Sequence, residues 1–242
     1  MKKVLTVFMA LLMVSALVPF AIADDEDKDE TYASDEHERA AESALVVKEV
    51  LAIPENGIPQ EMLDNAAAII VIPDLLKAAF IAGVKTGEGV MSAHTATGWT
   101  HPAYVELKGG SIGFQVGVES TDLVLVFMSE KHVKKLLNGE FTFGADASVT
   151  AGPVGRQASV GTNENAKSAV YAYSRSKGLF AGISLDGSKL SIDTESNTRI
   201  YGPGATAENI LYGQHAPAPK ELEDFKTTLN TMTKANNPKA KS

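Results

Sequence analysis

The sequence predicts an α+β fold, in which a curved, glycine-rich antiparallel β-sheet or sandwich forms the core and helices flank it at the N- and C-terminal ends. Three observations support this prediction. Short β-branched runs bounded by turn-forming residues fill the middle of the chain. Apolar residues at helical spacing occur near both ends, and most of the 20 glycines lie among the strand segments. Grouped strands with helices kept to the ends are typical of the α+β class.

The predicted helices follow from capping residues and apolar spacing. The first begins at Ser34 or Asp35, both good N-caps, and ends before Pro54, because a residue preceding proline is pushed out of the helical region. The helix at residues 129–138 begins with a capping serine and is followed by Gly139, which suits a helix C-terminus. Further helices are predicted at residues 60–67, near 205–211 and at 219–233.

The predicted strands occupy the region between these helices. Glycine-containing turns are expected at residues 86–88 and 108–110, where the β-branched runs are interrupted. The strand segments are expected at residues 68–72, 80–84, 89–93, 103–107, 111–119, 123–128, 141–150, 158–161, 166–174, 178–185 and 189–193.

The first 23 residues have the pattern of a secretory signal. Two lysines precede an almost wholly apolar stretch at residues 4–22, and residues 21–23 form a small-x-small cleavage site. A membrane anchor is the alternative, because a spanning helix needs ~20 apolar residues. Pro19 and the acidic run that follows favour cleavage, so we expect a periplasmic or secreted protein that begins at Asp24.

Charge and cysteine content exclude several classes of partner. The chain has a formal net charge of −8, which argues against nucleic acid because phosphate binding depends on Lys and Arg. The chain has no cysteine, so stability must come from a packed core and any lipid contact must be non-covalent. We divide the mature chain into an acidic, disordered leader (24–39), a folded domain (40–215), and a C-terminal helix with a frayed basic tail (216–242).

No catalytic or metal-binding motif withstands a test of its context. Residues 109–113 match G-x-S-x-G, but the following sequence is strand-like, whereas a nucleophile elbow needs a helix there. Residues 86–89 lack the lysine and serine of a phosphate-binding loop. The five histidines form no metal-ligand spacing. We therefore predict neither an enzyme nor a cofactor.

Three segments of the chain have a distinctive sequence: residues 72–90, 101–127 and 144–187. They include PAYVELKGGSIGFQVG, ADASVTAGPVGR and YSRSKGLFAG. Over roughly residues 40–202 the chain resembles the SYLF family, the Ysc84-type lipid-binding domains. The resemblance implies a lipid-binding domain, with phosphoinositide binding and, in fungal members, actin binding.

The resemblance also implies a site. Membrane contact in the family is associated with an N-terminal amphipathic segment, which corresponds here to residues 40–53, and with basic residues, since Arg and Lys hold lipid phosphates by charge-assisted hydrogen bonds. The mostly acidic polar face of residues 40–53 favours packing on the sheet instead, and exposed Lys and Arg are common on any surface. The basic candidates are Lys77, Arg156, Arg175 and Lys177.

The sequence thus leads to two functional hypotheses. The first is a non-enzymatic module of the bacterial cell envelope that binds phospholipid or anionic lipid, with membrane lipid, another amphiphile or an envelope protein as its partner. The alternative is a structural or protein-interaction domain of the envelope without lipid binding, which docks partners at an exposed sheet edge.

Overall fold

The computed structural model describes residues 25–52, 57–79, 82–112, 117–152, 169–176, 179–181, 183–213 and 218–235. Within these ranges, the chain forms six helices and ten strands. The helices are α1 (Asp25–Leu51), α2 (Gln60–Asp64), α3 (Glu130–Leu137), α4 (Thr194–Tyr201), α5 (Ala207–Tyr212) and α6 (Lys220–Ala235). The strands are β1 (Ala68–Ala79), β2 (Ala82–Thr95), β3 (Gly98–Trp99), β4 (Ala103–Ile112), β5 (Gly117–Phe127), β6 (Glu140–Thr142), β7 (Val149–Ala151), β8 (Val170–Ser176), β9 (Leu179–Ala181) and β10 (Lys189–Ile192).

The described strands form one curled sheet, which confirms the predicted fold class. Its order is β6-β10-β4-β2-β1-β5-β8-β7, with β3 paired to β2 and β9 paired to β8. The strand pairs are antiparallel apart from β7 and β8, which run parallel. The predicted strand at residues 158–161 lies outside the described residues.

Each face of the sheet has its own apolar core. On one face, Ile69 and Val71 of β1 and Val126 of β5 lie in a buried cluster with Val47 of α1 and Phe225 of α6. We call this the α1 face. The apolar stripe of the first helix packs on this face of the sheet, as expected for a helix whose polar face is mostly acidic.

The opposite face, which we call the α3 face, packs against the shorter helices. Ile70 of β1, with Leu125 and Phe127 of β5, forms a second cluster with Val133 of α3 and Ile210 of α5. Successive strand residues point to opposite faces, so the near-continuous apolar runs of β1 and β5 serve both cores at once.

A bulge interrupts β1 at Pro73 and Asp74. Val71 pairs with Val90 of β2, but Leu76 pairs with Thr86, so the register shifts by one residue across the bulge. Asp74 has φ 48°, a left-handed value that is uncommon outside glycine. An extra residue of this kind bends a strand and increases its twist. The bulge therefore separates a first part of β1, residues 68–72, from a second part, residues 75–79.

The predicted turns at residues 86–88 and 108–110 are wrong, because both segments lie inside continuous strands. Glycines within and beside these segments allow close approach instead. A Cβ atom at Gly89 would lie 2.0 Å from the Val71 carbonyl oxygen, beside the bulge, and one at Gly109 would lie 2.3 Å from Ser188 Oγ. Glycine is required there because any side chain would collide with a neighbouring segment.

The helices α3, α5 and α6 confirm their predictions, whereas α1 and α4 differ. The acidic segment expected to be extended is helical in the structure, because α1 begins at Asp25. Acidic residues are favourable at a helix N-terminus, and Glu36 anchors the segment by accepting a 2.8 Å hydrogen bond from Ser196 Oγ. Helix α4 was not predicted, although Asp193 caps it by accepting from the Ser196 N–H at 2.9 Å.

Candidate functional site

Large apolar side chains are exposed at few places in the part of the chain that the structure describes, and most of these places belong to one region. Val118 is 74% exposed and Val84 is 60% exposed, whereas the apolar residues of the two cores are buried. Among the residues that the structure describes, the exposed large apolar side chains are those of Leu45, Leu76, Val84, Val118 and Tyr212. Three of these lie on adjacent strands.

The strand register brings these three residues together. Ala78 of β1 pairs with Val84 of β2 on one side and with Val118 of β5 on the other. Leu76 lies two residues before Ala78 and therefore points to the same face of the sheet. We call Leu76, Ala78, Val84 and Val118 the apolar sheet end. It belongs to the α1 face, because Val126 of β5 lies on that face and every second residue of a strand, counted back to Val118, points the same way.

The opposite face of the same strands is charged. Lys77 Nζ lies 3.4 Å from Glu119 Oε2. Lys85 is only 7% exposed, and its ammonium group donates to the Ser184 carbonyl. Burial lowers the pKa of Lys85, and the charge of Lys77 lowers it further. This end of the sheet therefore has one apolar face and one polar face.

An acidic groove lies between α1 and the bulge, next to the apolar sheet end. It has a volume of about 480 Å³. Arg39 is its only cation among the described lining residues; it pairs with Glu88, and its guanidinium carbon lies 5.8 Å from the centre of the Tyr104 ring. The carboxylates that line the groove are Asp35, Glu38, Glu42, Asp74 and Glu88.

Carboxyl groups around the bulge have altered proton affinities. Burial raises the pKa of Glu42, and the charges of Asp74, Glu38 and Asp122 raise it further. Burial also raises the pKa of Asp122, although the Asp74 N–H, which lies 3.4 Å from Asp122 Oδ1, partly offsets this effect. Ser120 Oγ donates to Asp74 Oδ1 at 2.6 Å. Glu42 and Asp122 therefore hold protons more readily than ordinary surface carboxyls.

The structure describes two of the four predicted basic residues, and it does not bring them together. Arg175 lies on the α1 face, where its Nη1 is 2.5 Å from Glu49 Oε2 of α1. Lys77 lies on the α3 face beside Glu119. Arg156 and Lys177 lie outside the described residues. A lipid site formed by these four residues stays a prediction.

The other sequence motifs contribute no cluster of reactive groups within the described ranges. Ser111 lies inside strand β4, so the strand-to-helix turn of a nucleophile elbow does not occur there. His94 stacks on Trp99 with ring centres 4.5 Å apart, and His101 pairs with Glu223. Among these residues, no three His, Asp or Glu side chains are placed to hold a metal ion.

Sequence reasoning missed the apolar sheet end because it placed a turn at residues 86–88. With β1 and β2 treated as continuous strands, the alternation of Leu76 and Ala78 would have placed both residues on one face, with Val84 opposite Ala78.

None of the helices formed by the described residues is long and apolar enough to cross a bilayer.

These features define the class of the protein: an α+β domain with a curled sheet, helices on both faces, and an apolar surface left open at one end of the sheet. Comparison with known proteins then gives the family. A family model described as "Las17-binding protein actin regulator" matches residues 108–232, so the chain belongs to the Ysc84 family.

Similar proteins occur in yeast and mammals. The chain is 39% identical over 166 residues to LAS seventeen-binding protein 3 of Saccharomyces cerevisiae, an alignment that covers 67% of this chain and 36% of the yeast protein. It is 32% identical over 201 residues to SH3 domain-containing YSC84-like protein 1 of Rattus norvegicus, covering 80% of this chain and 58% of the rat protein. The chain thus spans about a third to somewhat over half of these relatives. Their names denote no enzymatic activity.

Proposed function

We propose that this protein is a non-enzymatic phospholipid-binding module of the bacterial cell envelope. The observation that carries the proposal is the apolar sheet end, where Leu76, Val84 and Val118 are exposed side by side on one face. Side chains of this kind gain free energy when a bilayer removes them from water. The expected signal sequence at residues 1–23 supports a location in the envelope.

The placement of this surface suits contact with a membrane. It lies where strands β1, β2, β4 and β5 end, away from the part of the sheet that α1 covers. The connecting sequences are apolar as well: Phe80 and Ile81 follow β1, and Phe114 and Val116 follow β4. The structure of these connections lies outside the described residues, but their composition extends the apolar character of this end of the chain.

The size of the expected effect follows from the exposed area. Fully burying a valine or leucine side chain is worth about 1.5–3 kcal/mol. Val84 and Val118 are 60% and 74% exposed, so transfer of each into lipid contributes about 1 kcal/mol, which is about fivefold in affinity.

Co-sedimentation with phospholipid vesicles tests this proposal. The test protein begins at Asp24 and so contains every described residue. Changing both residues with V84S and V118S is expected to weaken vesicle binding about twentyfold. Tyr212→Ser is the matched control, because Tyr212 is 49% exposed on α5 and lies outside the apolar sheet end.

Circular dichroism melting establishes that each variant is folded. A folded wild-type protein that binds no vesicle would overturn the proposal. Equal losses for the double variant and for Tyr212→Ser would overturn the assignment of the surface.

Protein binding is a second candidate function. It is favoured by the family description, which names Las17 binding and actin regulation, and by the yeast relative's name. The relevant experiment is co-sedimentation with actin filaments. Binding to filaments without binding to vesicles would support the protein-interaction hypothesis over the lipid hypothesis.

A further inference from the structure

We propose that the apolar sheet end, which is bordered by the carboxylates of Glu42, Asp74 and Asp122, binds bilayers without net negative charge at neutral pH, and that it accepts anionic bilayers when Glu42 and Asp122 become protonated. This inference rests on the proposed phospholipid-binding function and specifies its lipid class and its regulation. It follows from the position of the three carboxylates, the ion pairs around them, and the charge of the lipid surface.

The three carboxylates border the apolar sheet end directly. Asp74 lies in the bulge, two residues before Leu76, and accepts a hydrogen bond from Ser120. Ser120 in turn pairs with Leu76 across β1 and β5. Asp122 lies two residues further along β5 on the same face, and its Oδ1 accepts from the Asp74 N–H. An approaching bilayer that contacts Leu76 therefore comes close to these charges.

Helix α1 completes the acidic border. Glu42 lines the acidic groove together with Asp74, and the charges of Asp74 and Asp122 both act on its carboxyl group. Leu45, which is 58% exposed, lies three residues after Glu42 and therefore on the same side of the helix. The border thus alternates apolar and acidic side chains from α1 to β5.

The charged groups that face this border come from six elements, and the nearby cations are engaged elsewhere. Arg39 pairs with Glu88, Arg175 pairs with Glu49, and Lys108 Nζ lies 2.5 Å from Glu106 Oε2. Glu42, Asp74 and Asp122 take part in none of the ion pairs of the described residues. The facing groups are Asp35, Glu38, Arg39, Glu42 and Glu49 of α1, Asp74 of β1, Glu88 of β2, Glu106 and Lys108 of β4, and Asp122 of β5, with Arg175 of β8 beside it.

Unneutralised carboxylates at this border repel a negative lipid surface. The Debye length at physiological ionic strength is about 8 Å, so charges that lie next to a contact surface are only partly screened. Each charge near an anionic leaflet contributes about tenfold or less to binding. A zwitterionic bilayer has no such penalty, and the apolar contact alone then determines binding.

Protonation removes the repulsion. Because burial and mutual repulsion raise the pKa values of Glu42 and Asp122, these groups take up protons at a higher pH than ordinary carboxyls do. Acidification therefore neutralises Glu42 and Asp122 before it neutralises ordinary surface carboxylates elsewhere. The border next to Leu76 then carries less negative charge, so it no longer keeps an anionic bilayer away from the apolar sheet end.

The experiment measures partition onto phosphatidylcholine and phosphatidylglycerol vesicles at pH 7.5 and pH 5, in physiological salt. For the protein starting at Asp24, binding to phosphatidylcholine is expected to exceed binding to phosphatidylglycerol by about tenfold at pH 7.5 and by less than about threefold at pH 5. The E42Q and D122N double variant is expected to show the small difference already at pH 7.5.

The matched control replaces two exposed acids elsewhere, with E130Q on α3 and E208Q on α5. This variant has the same net charge as the double variant, and it is expected to retain the wild-type preference. Stronger binding to phosphatidylglycerol at pH 7.5, lost in V84S and V118S, would overturn this inference while supporting the phospholipid-binding function. An unchanged preference in the E42Q and D122N variant, or an equal change in the control, would also overturn it. A folded protein that binds neither vesicle would overturn both proposals.

Discussion

Strand β1 has two parts, one on each side of the bulge, which both present apolar side chains to the α1 face but differ in their surroundings. Before the bulge, Ile69 and Val71 point to the α1 face and are fully buried beneath helices. After it, Leu76 points to the same face and is 39% exposed. An apolar strand pattern therefore predicts that both faces of the sheet are apolar, whereas the length of the covering helices decides how much of each face is buried.

The largest expected effect comes from truncating one residue on each side of the bulge. Ile69→Ala is expected to lower the free energy of unfolding by about 2–5 kcal/mol, because it opens a cavity in a closed core. Leu76→Ala is expected to cost less than about 1 kcal/mol, since its side chain is partly in water. Urea denaturation measures both. Similar losses for the two variants would show that the second part of β1 is covered in solution.

A smaller effect is expected from adding a methyl group to a glycine that lies against the bulge and to a glycine that lies in open space. Gly89→Ala puts a Cβ atom against the Val71 carbonyl and is expected to destabilise the fold by about 1–3 kcal/mol through strain at the bulge. Gly110→Ala, at a site with no atom within 4 Å of the added carbon, is expected to change stability by less than about 0.5 kcal/mol. Thermal melting of the two variants measures this difference, and equal melting temperatures would contradict the close approach of β1 and β2.

The smallest effect concerns the carboxyl groups between the two parts. The folded-state pKa of Asp122 is raised, so its contribution to stability is present below the unfolded pKa of about 3.9 and is lost as the pH rises through the folded value. Asp122→Asn is therefore expected to stabilise the protein by a few tenths of a kcal/mol at pH 7.5, and by nothing at pH 3.5. Urea denaturation at the two pH values gives the difference. A destabilised variant at pH 7.5 would mean that the ionised carboxylate supports the bulge.

Local sequence patterns predicted those helices and strands whose capping residues and apolar spacing lie within the element itself. Correct assignments came from the serine at the N-cap position of α3 and the glycine after that helix, from the apolar spacing of α6, and from the β-branched run of β1, although the Ser129 side chain makes no capping hydrogen bond. The general architecture followed from the order of these elements. The resemblance to Ysc84-type domains was confirmed by the family model, which matches residues 108–232.

Contacts between distant segments were not predictable from such patterns. Gly87 looked like a turn residue because the reason for a glycine there, the close approach of Ile72 and Leu75, lies on another strand. Lys77 and Arg175 looked like members of one basic site because their types suited a phosphate, yet the register places them on opposite faces. The apolar sheet end depends on pairing Ala78 with both Val84 and Val118, which no single segment reveals.

The ion pair between Glu36 and Arg199 has a consequence for how the chain is made. These residues are 163 positions apart in the sequence, and Glu36 is 2% exposed once they meet. A growing chain that emerges N-terminus first has no partner for Glu36 until most of its length has been synthesised. Helix α1 therefore reaches its final packing against the rest of the domain late in folding, and folding from the N-terminus in step with synthesis is disfavoured. The first of the described helices to be synthesised is therefore among the last to be fixed in its final position.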